Sequence, residues 1–220
     1  KSNAVDNSYL SVWHLDKNTF VQIGSSVAKD VRFQPDSKVL LALDDRPYEF
    51  GAMYGRPSSD IYSVNIDTGE RKKLLTNVVY SQIVSPNGDT FPYIRDNHYH
   101  LYNLTTSKDI NLTKGLDASF VDLDDDHPVV QKRPYEFSGW DKTGSYFVAH
   151  SKFDIWKFDA KTGKGTRLTD GAAQQIEHRL MVVDRRNRYI DLNNPTYVQR
   201  FGKWSKQSGY SKLVGGNLRH

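Results

Sequence analysis

The pentapeptide Arg-Pro-Tyr-Glu-Phe occurs twice, at 46–50 and 133–137. Arg grips a carboxylate through two parallel hydrogen bonds, and Tyr offers a stacking face with a polar tip. Arg46, Tyr48, Arg133, Tyr135 and Glu136 are therefore candidate contacts for a peptide substrate or a partner domain. The plainer alternative is a rigid X-Pro turn with an Arg–Glu pair and a packed aromatic. A second constellation is Asp122-Leu123-Asp124-Asp125-Asp126-His127. Carboxylates at alternating positions can gather around calcium, and this run opens like an EF-hand loop. It then departs from that pattern, with His127 in place of the required Gly and Arg133 in place of the final Glu. A solvated inter-blade loop, or carboxylates pairing with Lys132 and Arg133, is the simpler expectation. His98 and His100 stand two apart on an expected strand and face one side. Zinc or manganese would need further ligands, and only Asp96 is close in sequence. No metal site and no cofactor is assigned.

Covalent chemistry finds little support. There is no cysteine, which excludes disulfides, thiolate metal sites and cysteine nucleophiles. No Gly-x-Ser-x-Gly elbow exists; Gly24-Ser25-Ser26 and Ser208-Gly209 do not fit it. No catalytic residue is assigned. Net charge is only +4, and the basic runs Arg71-Lys72-Lys73 and Arg185, Arg186 and Arg188 around Asn187 lack interleaved aromatics. Nucleic acid is therefore not an expected partner. No apolar run reaches the roughly 18–20 residues that span a membrane as a helix.

These residues must be positioned by strands and turns. The chain has 22 Asp against four Glu, with 13 Tyr, ten Phe and four Trp. Asp belongs to turns and caps, and the aromatics favour strands. One phrase of alternating apolar residues ending in Asp or Asn recurs at Val12–Asp16, Ile61–Asn65, Tyr99–Asn103 and Ile155–Asp159, with a weaker copy at Gly209–Leu213. Alternation makes each a strand. Asp67-Thr68-Gly69 and Lys161-Thr162-Gly163 then predict tight turns, with Gly supplying a positive φ. Inner hairpins are expected at 31–43, 82–94 and 137–150. Trp13, Tyr62, His100 and Trp156 share one position in the phrase, which predicts aromatic packing between neighbouring units.

A period of about 40–50 residues built from four short strands is the signature of a β-propeller blade. The fold expected is all-β, a propeller of four-stranded antiparallel blades. About four to five blades are seen, so the propeller is expected to be partial. The fifth phrase begins near residue 209, and its blade is expected to be unfinished at residue 220. Residues 1–4 look like a cloning remnant, and 5–220 form the blades. The first pentapeptide follows the second strand of an inner hairpin, and the second enters the first strand of another. In an antiparallel hairpin those ends lie together, opposite the turn, so both copies are expected on one propeller face. Asn103-Leu104-Thr105 and Asn111-Leu112-Thr113 are also glycosylation sequons.

Asp60-Ile-Tyr-Ser-Val-Asn-Ile-Asp-Thr-Gly-Glu70 and Asp154-Ile-Trp-Lys-Phe-Asp-Ala-Lys-Thr-Gly163 resemble blades of the prolyl oligopeptidase family and of TolB-like propellers. The stretch Asp126-His127-Pro128, Pro134-Tyr135, Gly139-Trp140, Asp154-Ile155-Trp156 is similar to large exported prolyl-oligopeptidase-like hydrolases of Bacteroides-type bacteria. That resemblance implies a propeller that gates peptide access to an α/β-hydrolase domain, in the same or a longer chain, bearing a Ser–Asp–His triad. It also implies a periplasmic or otherwise exported location. Two departures matter: the nucleophile elbow is missing, and no two Glu are adjacent to hold a substrate amino terminus as in the dipeptidyl-peptidase branch. A TolB-like interaction module without chemistry is the alternative.

Overall fold

The computed structural model describes residues 8–28, 30–181 and 188–219. The expected remnant at 1–4 and Arg185, Arg186 and Asn187 of the second basic run lie outside them. Among the described residues, helix is confined to a 3-10 turn, Arg46–Tyr48, and one turn of α-helix, α1 (Glu49–Ala52). The rest is strand and turn, as the Asp-rich, aromatic-rich composition predicts.

The described strands form five antiparallel sheets in chain order. The first has two strands, β1 (Ser11–His14) and β2 (Thr19–Gln22). The second has β3 (Asp30–Arg32), β4 (Val39–Asp44), β5 (Ser59–Asn65) and β6 (Arg71–Val78). The third has β7 (Tyr80–Ser81), β8 (Thr90–Arg95), β9 (His98–Asn103) and β10 (Asp109–Asn111). The fourth has β11 (Phe137–Trp140), β12 (Tyr146–His150), β13 (Ile155–Asp159) and β14 (Gly165–Arg167). The fifth has β15 (Ile176–Leu180), β16 (Thr196–Gly202), β17 (Ser208–Val214) and β18 (Asn217–Arg219). Each four-stranded sheet is a meander, the unit of a propeller blade. By contact density the chain divides into two compact units, residues 1–93 with 103–108, and 94–102 with 109–220.

The repeated phrase is the third strand of its sheet at β5, β9, β13 and β17. The turn after it is built alike each time. Asn65, Asn103 and Asp159 each accept two or more backbone amides of the turn through Oδ1. Gly69 and Gly163 take φ of +72° and +73°, and Ser107 takes +56° at the matching place. The Asn103 sequon is thus the turn repeat itself.

Two expectations need correction. The fifth phrase does not open an unfinished blade; β17 is the third strand of a complete sheet that β18 closes through Gly215 and Gly216. Among the described residues the two-stranded sheet is the first, whose β1 carries the phrase and whose β2 follows as a fourth strand does. The alternation of β15 and β16 was hidden because His178 and Arg200 occupy inward positions among Leu180 and Val198. The strand expected at 82–84 lies instead at Tyr80–Ser81. Gln82 N donates to Pro92 O at 2.8 Å, but Pro92 has no N–H to return, so the ladder stops there.

The first unit has a core of Ile23, Ala28, Leu40, Ala42 and Val64, with Val12 and Val21 of the first sheet packed on it. In the second unit, Phe120 lies edge-on to Trp156 and Phe158, both at 5.4 Å, and Phe147 stacks on Phe158 at 5.2 Å. Leu168, Leu180, Val198 and Leu213 join the fourth and fifth sheets. Each such burial contributes about 1.5–3 kcal/mol. The shared aromatic position does this for Trp156, which is 5% exposed, but not for Trp13, which is 59% exposed. Trp13 pairs across the strands with Phe20, on the face turned away from Val12 and Val21.

Candidate functional site

The two pentapeptides fall one in each unit and adopt different conformations. In the first unit, Pro47 sits within the 3-10 turn after β4, where a missing N–H costs nothing. Arg46 is held mainly by Asp44, with Glu49 a lesser charge on it. Its Nε and Nη2 donate to Asp44 Oδ1 and Oδ2 at 2.9 and 3.1 Å. That fork holds the Asp44 carboxyl below its usual range. Asp44 is buried because it ends β4 opposite Asp60 of β5, and a buried carboxylate requires a partner.

Asp60 collects three donors: Tyr48 Oη at 2.5 Å, Lys73 Nζ at 2.5 Å and Asn77 N at 3.2 Å. Burial works against its ionisation, but these donors outweigh it and keep the carboxyl below its usual range. The same bond to Asp60 pushes the Tyr48 hydroxyl up. Arg46 and Tyr48 thus serve a network that satisfies two buried carboxylates. Beyond it the loop to β5 exposes Phe50, Met53 and Tyr54.

In the second unit the pentapeptide closes residues 112–136, the longest connection between consecutive strands. This connection folds back on itself. Val121 bridges Pro134, Asp122 N donates to Arg133 O at 2.8 Å, and Tyr135 N donates to Phe120 O at 3.0 Å. Asn97 Oδ1 accepts from Gln131 Nε2 and Lys132 N, fixing the return limb to the start of β9.

Arg133 is exposed and makes no ion pair among the described residues. Tyr135 is half-buried, donates to Asp122 Oδ1 at 3.4 Å and carries the Arg179 guanidinium 5.7 Å above its ring. Desolvation raises the Tyr135 hydroxyl and also the Glu136 carboxyl. Glu136 is an exposed residue, and the nearby Arg179 charge works against the rise in its carboxyl. The Arg–Glu contact expected as the plain alternative makes no close ion pair in either copy among the described residues; Glu49 acts on Arg46 as a minor charge behind Asp44.

In the acidic run it is Asp124 that pairs with neighbouring cations, and they are not the expected Lys132 and Arg133. Asp124 binds Lys152 Nζ at 2.7 Å, with Lys203 at 3.9 Å, and Lys152 holds its carboxyl below the usual range. Asp125 Oδ1 and His127 Nδ1 meet at 2.5 Å, and Lys132 Nζ caps the carbonyls of both residues. Asp125, Asp126 and His127 do lie close enough together to hold an ion. His98 and His100 do not converge: His98 Nδ1 meets Thr113 Oγ1 at 3.0 Å, and His100 Nδ1 meets Asp109 at 3.1 Å.

One pairing escaped the sequence. Ser138 Oγ lies 2.7 Å from His150 Nε2, brought there by a bulge between Phe137 and Gly139. Desolvation, with Arg179 adding to it, depresses His150 to about 3. An imidazole so hard to protonate is a poor general base, and no carboxylate hydrogen-bonds its Nδ1 among the described residues. The pair does not make a triad. No sequence signal announces it, because Ser and His are 12 residues apart on different strands.

No protein-family model and no curated protein matches the sequence. Solved structures do match. A mutant puromycin hydrolase aligns over 93% of this chain and 30% of its own, at 13% identity and a TM-score of 0.51. TolB from Acinetobacter baumannii aligns over 96% of this chain and 50% of its own, at 14% identity and a TM-score of 0.42. A Bacteroides ovatus protein named for dipeptidyl aminopeptidase IV aligns over 86% and 32%, at 14% identity and a TM-score of 0.48. The structural neighbours therefore include TolB-like propellers and peptidase-type propeller domains. This chain spans half or less of each of these three.

Proposed function

We propose that the chain is the non-catalytic propeller part of a prolyl oligopeptidase-like serine hydrolase, and that it gates peptide access to an α/β-hydrolase domain of the same or a longer chain. The observation that carries this reading is the fold match to puromycin hydrolase, which takes up nearly all of this chain and under a third of the other. The second pentapeptide supports it. Arg133 presents an unengaged guanidinium beside Tyr135 and Glu136, on a long connection of the kind that carries function. A peptide carboxylate would meet Arg133, and Tyr135 would offer it a ring face. Arg46 and Tyr48 act in this reading by holding the 45–58 loop. An exported location follows from the same resemblance, and no described helix is long and apolar enough to cross a membrane.

The test is the reading frame that encodes the chain. Continuation for some hundreds of residues into a Gly-x-Ser-x-Gly domain, with a full product whose peptide size selection changes on Arg133→Ala, is the expected outcome. A stop close to residue 220 would overturn it. The TolB-like alternative is a propeller that binds a partner protein without chemistry. Exposed Phe50, Met53 and Tyr54, 73–77% accessible, favour it, because a contiguous apolar patch marks an interaction surface.

A further inference from the structure

The first half of the 112–136 connection closes a cleft of about 410 Å³ against the start of β9. Leu116, Ala118, Val121 and Leu123 supply apolar wall, and His98 and Asp117 supply polar groups. That is a volume and a chemistry suited to a small ligand, apolar walls with a few placed polar atoms.

The anchoring of His98 resembles an arrangement in the next sheet along the chain. There, Ile155 N donates to Thr169 Oγ1 at 3.0 Å, and the Thr169 hydroxyl donates to Asp154 Oδ1 at 2.8 Å. In the third sheet, Tyr99 N donates to Thr113 Oγ1 at 3.1 Å, and Thr113 Oγ1 meets His98 Nδ1 at 3.0 Å. His98 thus stands where Asp154 stands, and Asp154 only accepts. A threonine hydroxyl that has accepted an amide hydrogen can still accept a second hydrogen or donate its own. In either tautomer the bond to Thr113 anchors the ring through Nδ1 and leaves Nε2 as its second polar atom. Nε2 has no protein partner among the described residues. Asp117 is exposed and unpaired among the described residues, so the cleft disfavours an anion.

We infer that this cleft binds a neutral apolar amide, such as one aliphatic or aromatic residue of a peptide. The amide offers both an N–H and a C=O, so it pairs with His98 Nε2 in either tautomer, and its side chain lies against Leu116, Val121 and Leu123. The inference stands apart from the gating reading, since a stand-alone module would bear the same cleft.

The probe is N-acetyl-leucine amide, titrated into the 220-residue chain and followed by NMR at the Leu116 and Leu123 methyls and the His98 ring. A saturable shift at these three positions with a millimolar Kd is expected, the range open to so small a ligand. N-acetyl-leucine, carrying a carboxylate, binds more weakly. His98→Asp recreates the Asp154–Thr169 pair, so it keeps the fold and removes Nε2; affinity falls about tenfold. Ala118→Trp fills the cleft and abolishes the shift. A melting curve shows that each variant is folded, and if Ala118→Trp is not, His98→Asp decides alone. Absence of a saturable shift in the unaltered chain, or unchanged affinity in a folded His98→Asp or Ala118→Trp variant, overturns the inference.

Discussion

Identical residues do different work when the strand before them ends differently. Arg46 follows a buried Asp44 and is drawn back onto it, whereas Arg133 follows no such carboxylate and points its charge at solvent. Arg46→Ala therefore strands a buried carboxylate and lowers the melting temperature, while Arg133→Ala leaves it within error. Tyr48→Phe removes one bond to Asp60 and costs about 1 kcal/mol by denaturant unfolding. His150 gives the chain an acid sensitivity. Its folded pKa is depressed from 6.5 to about 3, so the unfolded chain binds the extra proton. Stability is level above pH 6.5 and falls as pH drops through that value, by at most about 1.4 kcal/mol per unit. Asp44 and Asp60, whose folded values are also depressed, add to the loss at lower pH. His150 faces Ile155 as Leu43 faces Ile61, so His150→Leu should flatten the decline between pH 6.5 and 5 in thermal melts. A decline unchanged by that substitution would mean another group controls it.

The second, third and fourth sheets are each fastened at one end by a residue at or just before the start of the third strand. Asp154, 2% exposed, binds Thr169 Oγ1 at 2.8 Å and Gly171 N at 2.6 Å just beyond β14. Asp60 does the same for Asn77 at the end of β6, and His98 for Thr113 after β10. Asp154→Ala unpairs two buried groups and should cost about 2–4 kcal/mol in urea unfolding. Gly171→Ala should be at least as damaging, because a Cβ there collides with the Ile176 carbonyl oxygen. This level of organisation was largely legible. Alternation and Asp-Thr-Gly turns located the third and fourth strands, since both signals are local. The first two strands of the fifth sheet were not legible, because His178 and Arg200 sit where apolar residues were expected. The fastening itself was invisible: Asp154 and Gly171 are separated by a whole hairpin, and nothing in their types says that they meet.

Across the whole chain, the blade pattern was readable because it repeats. The site was readable only as residue types, since whether Arg46 or Arg133 is engaged depends on a partner that folding supplies. A serine nucleophile needs a base, a carboxylate to orient it and oxyanion donors, and Ser138 with His150 lacks the second. The purified chain should accordingly take no fluorophosphonate label; labelling abolished by Ser138→Ala would refute that. The aromatic stack of the fourth sheet has a consequence for optical work on this protein. Trp140 and Trp156 are 1% and 5% exposed, whereas Trp13 and Trp204 are 59% and 80% exposed. Iodide should therefore quench only the red-shifted part of the emission and leave a blue component from Trp140 and Trp156. Both of those indoles lie in β11 and β13, so the loss of blue emission reports the melting of that sheet alone and is silent about the first unit.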